Sequence, residues 1–151
     1  MMSSLLQASG MSIKVVVSRY NDLVTRGLLI GAKDGFSRMG LELTGSDIIW
    51  TPGSFEIPVV VRRVLSKGGV DGVLCLGAIV RGETAHFEYV ASEVTKGIAT
   101  LSLEFGVPIS FGVLTTHTMD QAIDRSGGKA GNKGEESART LVETIRLLQQ
   151  L

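Results

Sequence analysis

Short apolar runs of strand length alternate along the chain with longer stretches in which apolar residues recur at helical spacing. Ile13–Ser18 (IKVVVS) is β-branched and ends in Arg19-Tyr20-Asn21-Asp22, where Asn21 or Asp22 can cap a helix. Leu23, Val24, Leu28, Ala32 and Phe36 come next at helical spacing, with Gly40 as a stop. Residues 47–51 (DIIWT) repeat the strand pattern before a Pro52-Gly53 turn and a helical run over 54–67, closed by Gly68-Gly69. Pro58 fits that run only in its first turn, which puts Ser54 near the N-cap. A third strand over 72–80 (GVLCLGAIV) leads through Arg81-Gly82-Glu83-Thr84 to a helix over 85–105. A fourth strand, 108–115, precedes Thr118 and Gln121, a capping box that opens a short helix reaching Ser126. A loop over 127–134 then leads to an amphipathic helix ending at Leu151.

Strands alternating with helices predict a single α/β domain over 13–151, three layers deep (α/β/α), with a four-stranded, mainly parallel sheet and helices on both faces. Runs as uniformly apolar as 72–80 suit strands buried on both sides. In such sheets ligands bind beyond the carboxyl ends of the strands, so residues 19–22, 52–56, 79–86 and 115–118 should border the site. Residues 1–12 have no basic residue and no long apolar stretch, so they do not read as a signal peptide and are expected to form a flexible tail.

Composition narrows the function. Fifteen Lys plus Arg balance fifteen Asp plus Glu, leaving no global field to attract nucleic acid or an anionic membrane. Charged residues interrupt every hydrophobic run well short of a membrane span. One cysteine excludes an internal disulfide framework and suits a reducing cytoplasm, and two histidines make a structural zinc site hard to assemble. The nineteen glycines sit at the ends of apolar runs, as punctuation.

Nucleotide-binding loops fail on inspection. Gly77 to Gly82 has the spacing of a phosphate loop, but Glu83 stands where its lysine belongs, and no Gly-x-Gly-x-x-Gly comes after the first strand. The third strand runs instead into a tight Gly82 turn with Glu83 and Thr84 at a helix N-terminus, which either caps the helix or holds a small phosphate. His86, in the first turn, is a candidate proton acceptor, because a helix N-terminus favours the neutral ring. His117, after the fourth strand, has an equal claim by position. Glu56, beside Phe55, is either a helix-dipole charge or an acceptor for a flat heterocycle packed on the ring. Tyr20 and Phe111 are core residues or stacking surfaces. Arg125, Lys129 and Lys133 form a basic cluster that is either a solvated face or a phosphate clamp. Cys75, mid-strand between leucines, reads as a buried thiol.

Three ungapped blocks lie in order at the expected crevice loops: residues 52–58 (PGSFEIP), 77–90 (GAIVRGETAHFEYV) and 111–116 (FGVLTT), with 122–134 (AIDRSGGKAGNKG) completing the pattern. Together they closely resemble the lumazine synthase family, from about Ile13 to Leu151. The resemblance implies a flavodoxin-like fold and the penultimate step of riboflavin synthesis. In that step 5-amino-6-(D-ribitylamino)uracil condenses with 3,4-dihydroxy-2-butanone 4-phosphate to give 6,7-dimethyl-8-ribityllumazine, phosphate and water, with no metal or organic cofactor. By matching positions, Tyr20 would stack on the pyrimidine, with Ile79 and Val80 beside the ring. The backbone at Ser54 and Phe55, with Glu56, would hold the ribityl chain. Gly82, Glu83, Thr84 and Arg125 would bind phosphate, and His86 would transfer protons. Phe111, Arg125 and Lys133 would come from the adjacent subunit of a pentamer.

The family also implies closed, sixty-subunit icosahedral shells in some members, and association with riboflavin synthase. The ungapped 127–134 loop is similar to that of shell-forming members. A non-catalytic shell or flavin-binding protein is therefore the alternative reading, against which the retained His86, Arg125 and Lys133 argue. Tyr20 stands where the family commonly has Phe or Trp, Ser54 where it commonly has Ala, and residues 1–12 are unaligned. None of these departures removes a group that the condensation needs.

Overall fold

The computed structural model describes residues 6–83 and 85–151, the Glu83 side chain excepted. Four strands, β1 (Ile13–Ser18), β2 (Ile48–Thr51), β3 (Gly72–Val80) and β4 (Ile109–Thr116), form one parallel sheet in the order β2-β1-β3-β4. The helices are α1 (Asp22–Arg38), α2 (Ile57–Lys67), α3 (Phe87–Phe105), α4 (Met119–Asp124) and α5 (Lys133–Gln150). Among the described residues no helix is long and apolar enough to cross a membrane.

The two-residue period of the strands sorts their side chains into two cores. Val15, Val17, Leu74, Leu76 and Leu114 face α1 and α5, where Leu28, Phe36, Leu141 and Val142 fill the layer. Val16, Val73, Cys75, Ile79 and Val113 face α2 and α3, against Val61, Leu65, Val94 and Ile98. All nine residues of β3 are buried, as expected of a central strand covered on both faces. Each fully buried aliphatic side chain stabilises this three-layer sandwich by about 1.5–3 kcal/mol relative to exposure.

Four sequence expectations are corrected. Residues 8–11 are no loose tail: Ala8 and Met11 are buried in the first core, and the Ala8 N–H donates to the Met39 carbonyl at 2.8 Å. The 127–134 loop contains a two-stranded antiparallel hairpin, β5 (Ser126–Gly128) with β6 (Gly131–Asn132). Ser54 caps no α-helix but begins a 3-10 turn, Ser54–Glu56, after which Pro58 sits in the first turn of α2. Asn21 occupies the N-cap position of α1, yet its side chain makes no capping bond.

Glycine does more than punctuate. Gly27, Gly31 and Gly35 recur every four residues down one face of α1, so the hairpin and α5 can approach its backbone. A Cβ at Gly31 would lie 2.2 Å from the Asn132 side chain, and one at Gly134 would lie 2.0 Å from the Leu28 carbonyl oxygen. Asn132 fills the space: its Nδ2 donates to the Gly27 carbonyl at 2.9 Å, while its Oδ1 accepts from the Gly134 and Glu135 N–H groups at 2.8 and 3.2 Å, capping α5.

Candidate active site

The chain runs outward from β1 to β2 and then crosses back to β3. Strand order therefore reverses between β1 and β3, which opens a crevice at their carboxyl ends. Two backbone bonds lace the exits of β1 and β2 together: the Arg19 N–H donates to the Thr51 carbonyl at 2.8 Å and the Tyr20 N–H to the Pro52 carbonyl at 3.1 Å. Beyond them lies a cavity of about 330 Å³, a size that suits a small-molecule ligand.

Three strand exits wall this cavity. Tyr20 and Asn21 come from the first, Gly53 to Glu56 from the second, and Ala78, Ile79 and Val80 from the third, with Val90 of α3 completing the rim. Tyr20 is 59% exposed and Phe55 60%, so two aromatic surfaces are presented to solvent rather than spent on the core. Glu56 folds back over Gly53, its Oε1 only 3.1 Å from where a Cβ at that glycine would stand. A side chain at position 53 would displace that carboxylate. The buried Ser54 hydroxyl has no hydrogen-bond partner among the described residues and rests where Gly77 leaves room, 2.7 Å from the Cβ an alanine there would carry.

His86 stands at the N-cap position of α3, exposed, and its carbonyl accepts from the Val90 N–H at 2.9 Å, one turn from the cavity wall. Its ring centroid lies 6.4 Å from that of Tyr89, tilted by 47°. Gly82 lies in the 3-10 turn Arg81–Glu83 and faces the backbone of His117, whose carbonyl oxygen is 4.0 Å from a Cβ built on Gly82. The loops that carry the two histidines are thus neighbours. Thr84 and the Glu83 side chain, both expected at the phosphate site, lie outside the described residues.

The remaining predicted residues stand apart from this cavity. Phe111 pairs in register with Cys75, five residues below the Val80–Thr116 pair that ends the sheet, or about 16 Å down the strand at the usual rise. It packs on the α2–α3 face instead. Arg125 ends α4 and Lys133 begins α5, and the Lys133 N–H donates to the Arg125 carbonyl at 2.8 Å, so the hairpin brings the two cations to one exposed end. The Arg125 guanidinium donates to the Gln121 carbonyl at 3.3 Å and forms no ion pair among the described residues. Sequence reasoning does not single out Asn21, Ala78 and Val90 as wall residues, although each lies in a segment expected to border the crevice or in a quoted block.

Among the described residues no three His, Cys, Asp or Glu side chains converge as metal ligands. Burial pushes the Cys75 thiol far above its ordinary range, so it stays protonated and inert inside the sheet. The side chains at the ends of β1, β2 and β3 offer stacking, hydrogen bonding and proton transfer. The model of the 6,7-dimethyl-8-ribityllumazine synthase family matches residues 10–149, and the chain belongs to that family of transferase-type enzymes of riboflavin biosynthesis.

Proposed function

We propose that the protein condenses 5-amino-6-(D-ribitylamino)uracil with 3,4-dihydroxy-2-butanone 4-phosphate to form 6,7-dimethyl-8-ribityllumazine, phosphate and water. The observation that carries this reading is the cavity between the exposed rings of Tyr20 and Phe55, with the Glu56 carboxylate beside it and His86 one turn from its rim. Tyr20 stacks on the pyrimidine, Ile79 and Val80 flank its edge, and Ser54 to Glu56 hold the ribityl chain. Gly82 to Thr84 and Arg125 hold the phosphate.

The 5-amino group attacks the ketone carbon and expels one water as the Schiff base forms. The hydroxyl-bearing carbon beside the imine then gives up its proton, phosphate leaves with its bonding electrons, and the resulting enol is protonated at its terminal carbon and loses its hydroxyl proton to become a methyl ketone. The ribityl-bearing nitrogen closes the ring on that carbonyl and expels a second water. Each step moves protons between nitrogen, carbon and oxygen, which is the task assigned to His86. Holding the two reactants together supplies much of the remaining acceleration.

The position of Phe111 down the sheet, and of Arg125 and Lys133 away from the cavity, supports their use by a neighbouring subunit in a cyclic pentamer. Mixing the two purified substrates with the protein and following lumazine fluorescence tests the function. Turnover above the uncatalysed rate is the expected result. Binding of the product or of riboflavin without turnover would establish the non-catalytic alternative.

A further inference from the structure

Asn21 is the single non-glycine residue with positive φ among the described residues, at φ 63° and ψ 48°, in the left-handed region. Asparagine tolerates that region better than most L-residues, but its presence there is uncommon enough to need a cause. Its carbonyl behaves as an N-cap should, accepting from the Val24 and Thr25 N–H groups at 3.0 Å each. Its side chain does not cap. Instead Nδ2 reaches across the crevice floor and donates to the Ala78 carbonyl at 3.2 Å. Pairing between β1 and β3 ends at Val17 and Leu76, so this carbonyl lies just past the last rung, and the Asn21 amide takes the place of a strand that has already turned away.

The consequence falls on the preceding residue. Tyr20 is held on one side by its N–H bond to the Pro52 carbonyl and on the other by a left-handed residue pinned to β3. The Ser18 hydroxyl adds a long bond to the Tyr20 carbonyl at 3.5 Å, while the ring itself is 59% exposed. We infer that Asn21 is a positioning residue for the heterocycle, holding the Tyr20 ring across from Val80 and so setting the width of the stacking slot. This rests on the reading that the pyrimidine stacks on Tyr20. It gives Asn21 no part in holding phosphate, whose expected ligands lie on other loops.

The test measures binding of 5-amino-6-(D-ribitylamino)uracil by titration calorimetry under nitrogen, binding of inorganic phosphate, and melting temperature, in the assembled protein. Asn21→Gly keeps access to the left-handed backbone and removes only the amide bond. It is expected to weaken pyrimidine binding about 3- to 10-fold, the scale of one lost hydrogen bond, and to leave phosphate binding unchanged. Asn21→Asp, which puts a carboxylate oxygen against the Ala78 carbonyl, should weaken it at least as much. Should either variant fail to assemble, the other carries the test. In a Tyr20→Ala background, Asn21→Gly should add no further loss, because its effect passes through the ring.

A lower melting temperature with unchanged pyrimidine affinity would overturn the inference by making Asn21 merely structural. An equal loss in the Tyr20→Ala background would overturn it by making the contact direct. If Tyr20→Ala itself leaves pyrimidine binding intact, the stacking reading fails, and the inference with it. If Tyr20→Ala weakens binding while the Asn21 variants do not, only the inference fails.

Discussion

At the scale of single residues the two histidines are the sharpest contrast. His86 sits one turn from the cavity wall, whereas His117 faces Gly82 of the neighbouring loop with its backbone carbonyl. His86→Ala should slow turnover by roughly 10²- to 10⁴-fold if proton transfer is its whole role, nearer the lower figure because proximity supplies so much of the acceleration. Pyrimidine binding should change little. Steady-state kinetics of both alanine variants checks this, and a larger loss in His117→Ala would transfer the role to that residue. Arg125 makes a different prediction, since among the described residues its guanidinium pairs with no carboxylate. Arg125→Ala should raise the KM for the phosphorylated ketone by the equivalent of about 1.5–3 kcal/mol, at least tenfold, with far less effect on the pyrimidine. Arg125→Lys should recover only part of the loss, because an ammonium lacks the planar fork. Equal effects on both substrates would contradict a dedicated phosphate role.

At the scale of elements, two contacts hold secondary structures in the positions that the site needs. Burial would by itself push the Asp47 carboxyl up. The Thr44 backbone N–H at 2.8 Å, the Lys14 ammonium at 3.0 Å and the Thr44 hydroxyl at 3.0 Å win instead and hold it below the ordinary carboxylate range, pinning the turn before β2 to β1. A depressed folded-state pKa contributes stability that is present above the unfolded value, about 3.9 for Asp, and is lost as pH falls through the folded one. Asp47→Asn should therefore lower the melting temperature at neutral pH by about 2–4 °C per kcal/mol lost, and the gap between the two proteins should begin to narrow below about pH 4 and close once pH falls below the folded-state pKa. Gly31→Ala tests the other contact. A methyl 2.2 Å from the Asn132 side chain must displace it and with it the bonds to Gly27, Gly134 and Glu135, at a cost of about 1–3 kcal/mol, seen in thermal melts. Because Asn132 caps the helix that Lys133 begins, and Arg125 and Lys133 flank the hairpin, affinity for the phosphorylated substrate should fall with it. These contacts also explain what the sequence could reveal. The Thr118–Gln121 capping box and the all-apolar β3 are local patterns, and both appear as expected. The hairpin has strands of only three and two residues, too short for any period to register. The glycines of α1 pass for punctuation because what they accommodate lies about a hundred residues away. Asn21 looks like a cap in the sequence because its true partner, Ala78, is 57 positions along the chain. Tyr20, Ser54 to Glu56, Ile79 and Val80 are legible because each comes at the end of an apolar run or directly after one, which is where a parallel sheet opens.

At the scale of the whole molecule, the single chain leaves much apolar surface uncovered. Leu103 is 86% exposed and Tyr89 75%, with Leu23, Ile30 and Val59 similarly bare, which accords with a family whose members generally assemble as oligomers. The residues proposed for the site are divided in the same sense: Phe55 and Glu56 line the cavity with His86 one turn from its wall, whereas Phe111, Arg125 and Lys133 stand elsewhere on the chain. In a closed ring every interface is equivalent, so each site would join one face from each of two subunits, and an isolated monomer should be inactive. One variant with Glu56 and His86 replaced and a second with Arg125 and Lys133 replaced should each be nearly inactive alone. Unfolded, mixed equally and reassembled at random, they should regain roughly one site in four, since both neighbours at an interface are drawn independently. A site contained within one chain would stay inactive in the mixture, because every subunit carries a damaged half. Native mass spectrometry confirms that mixed rings have formed, and mixed rings without recovered activity would rule out the shared site.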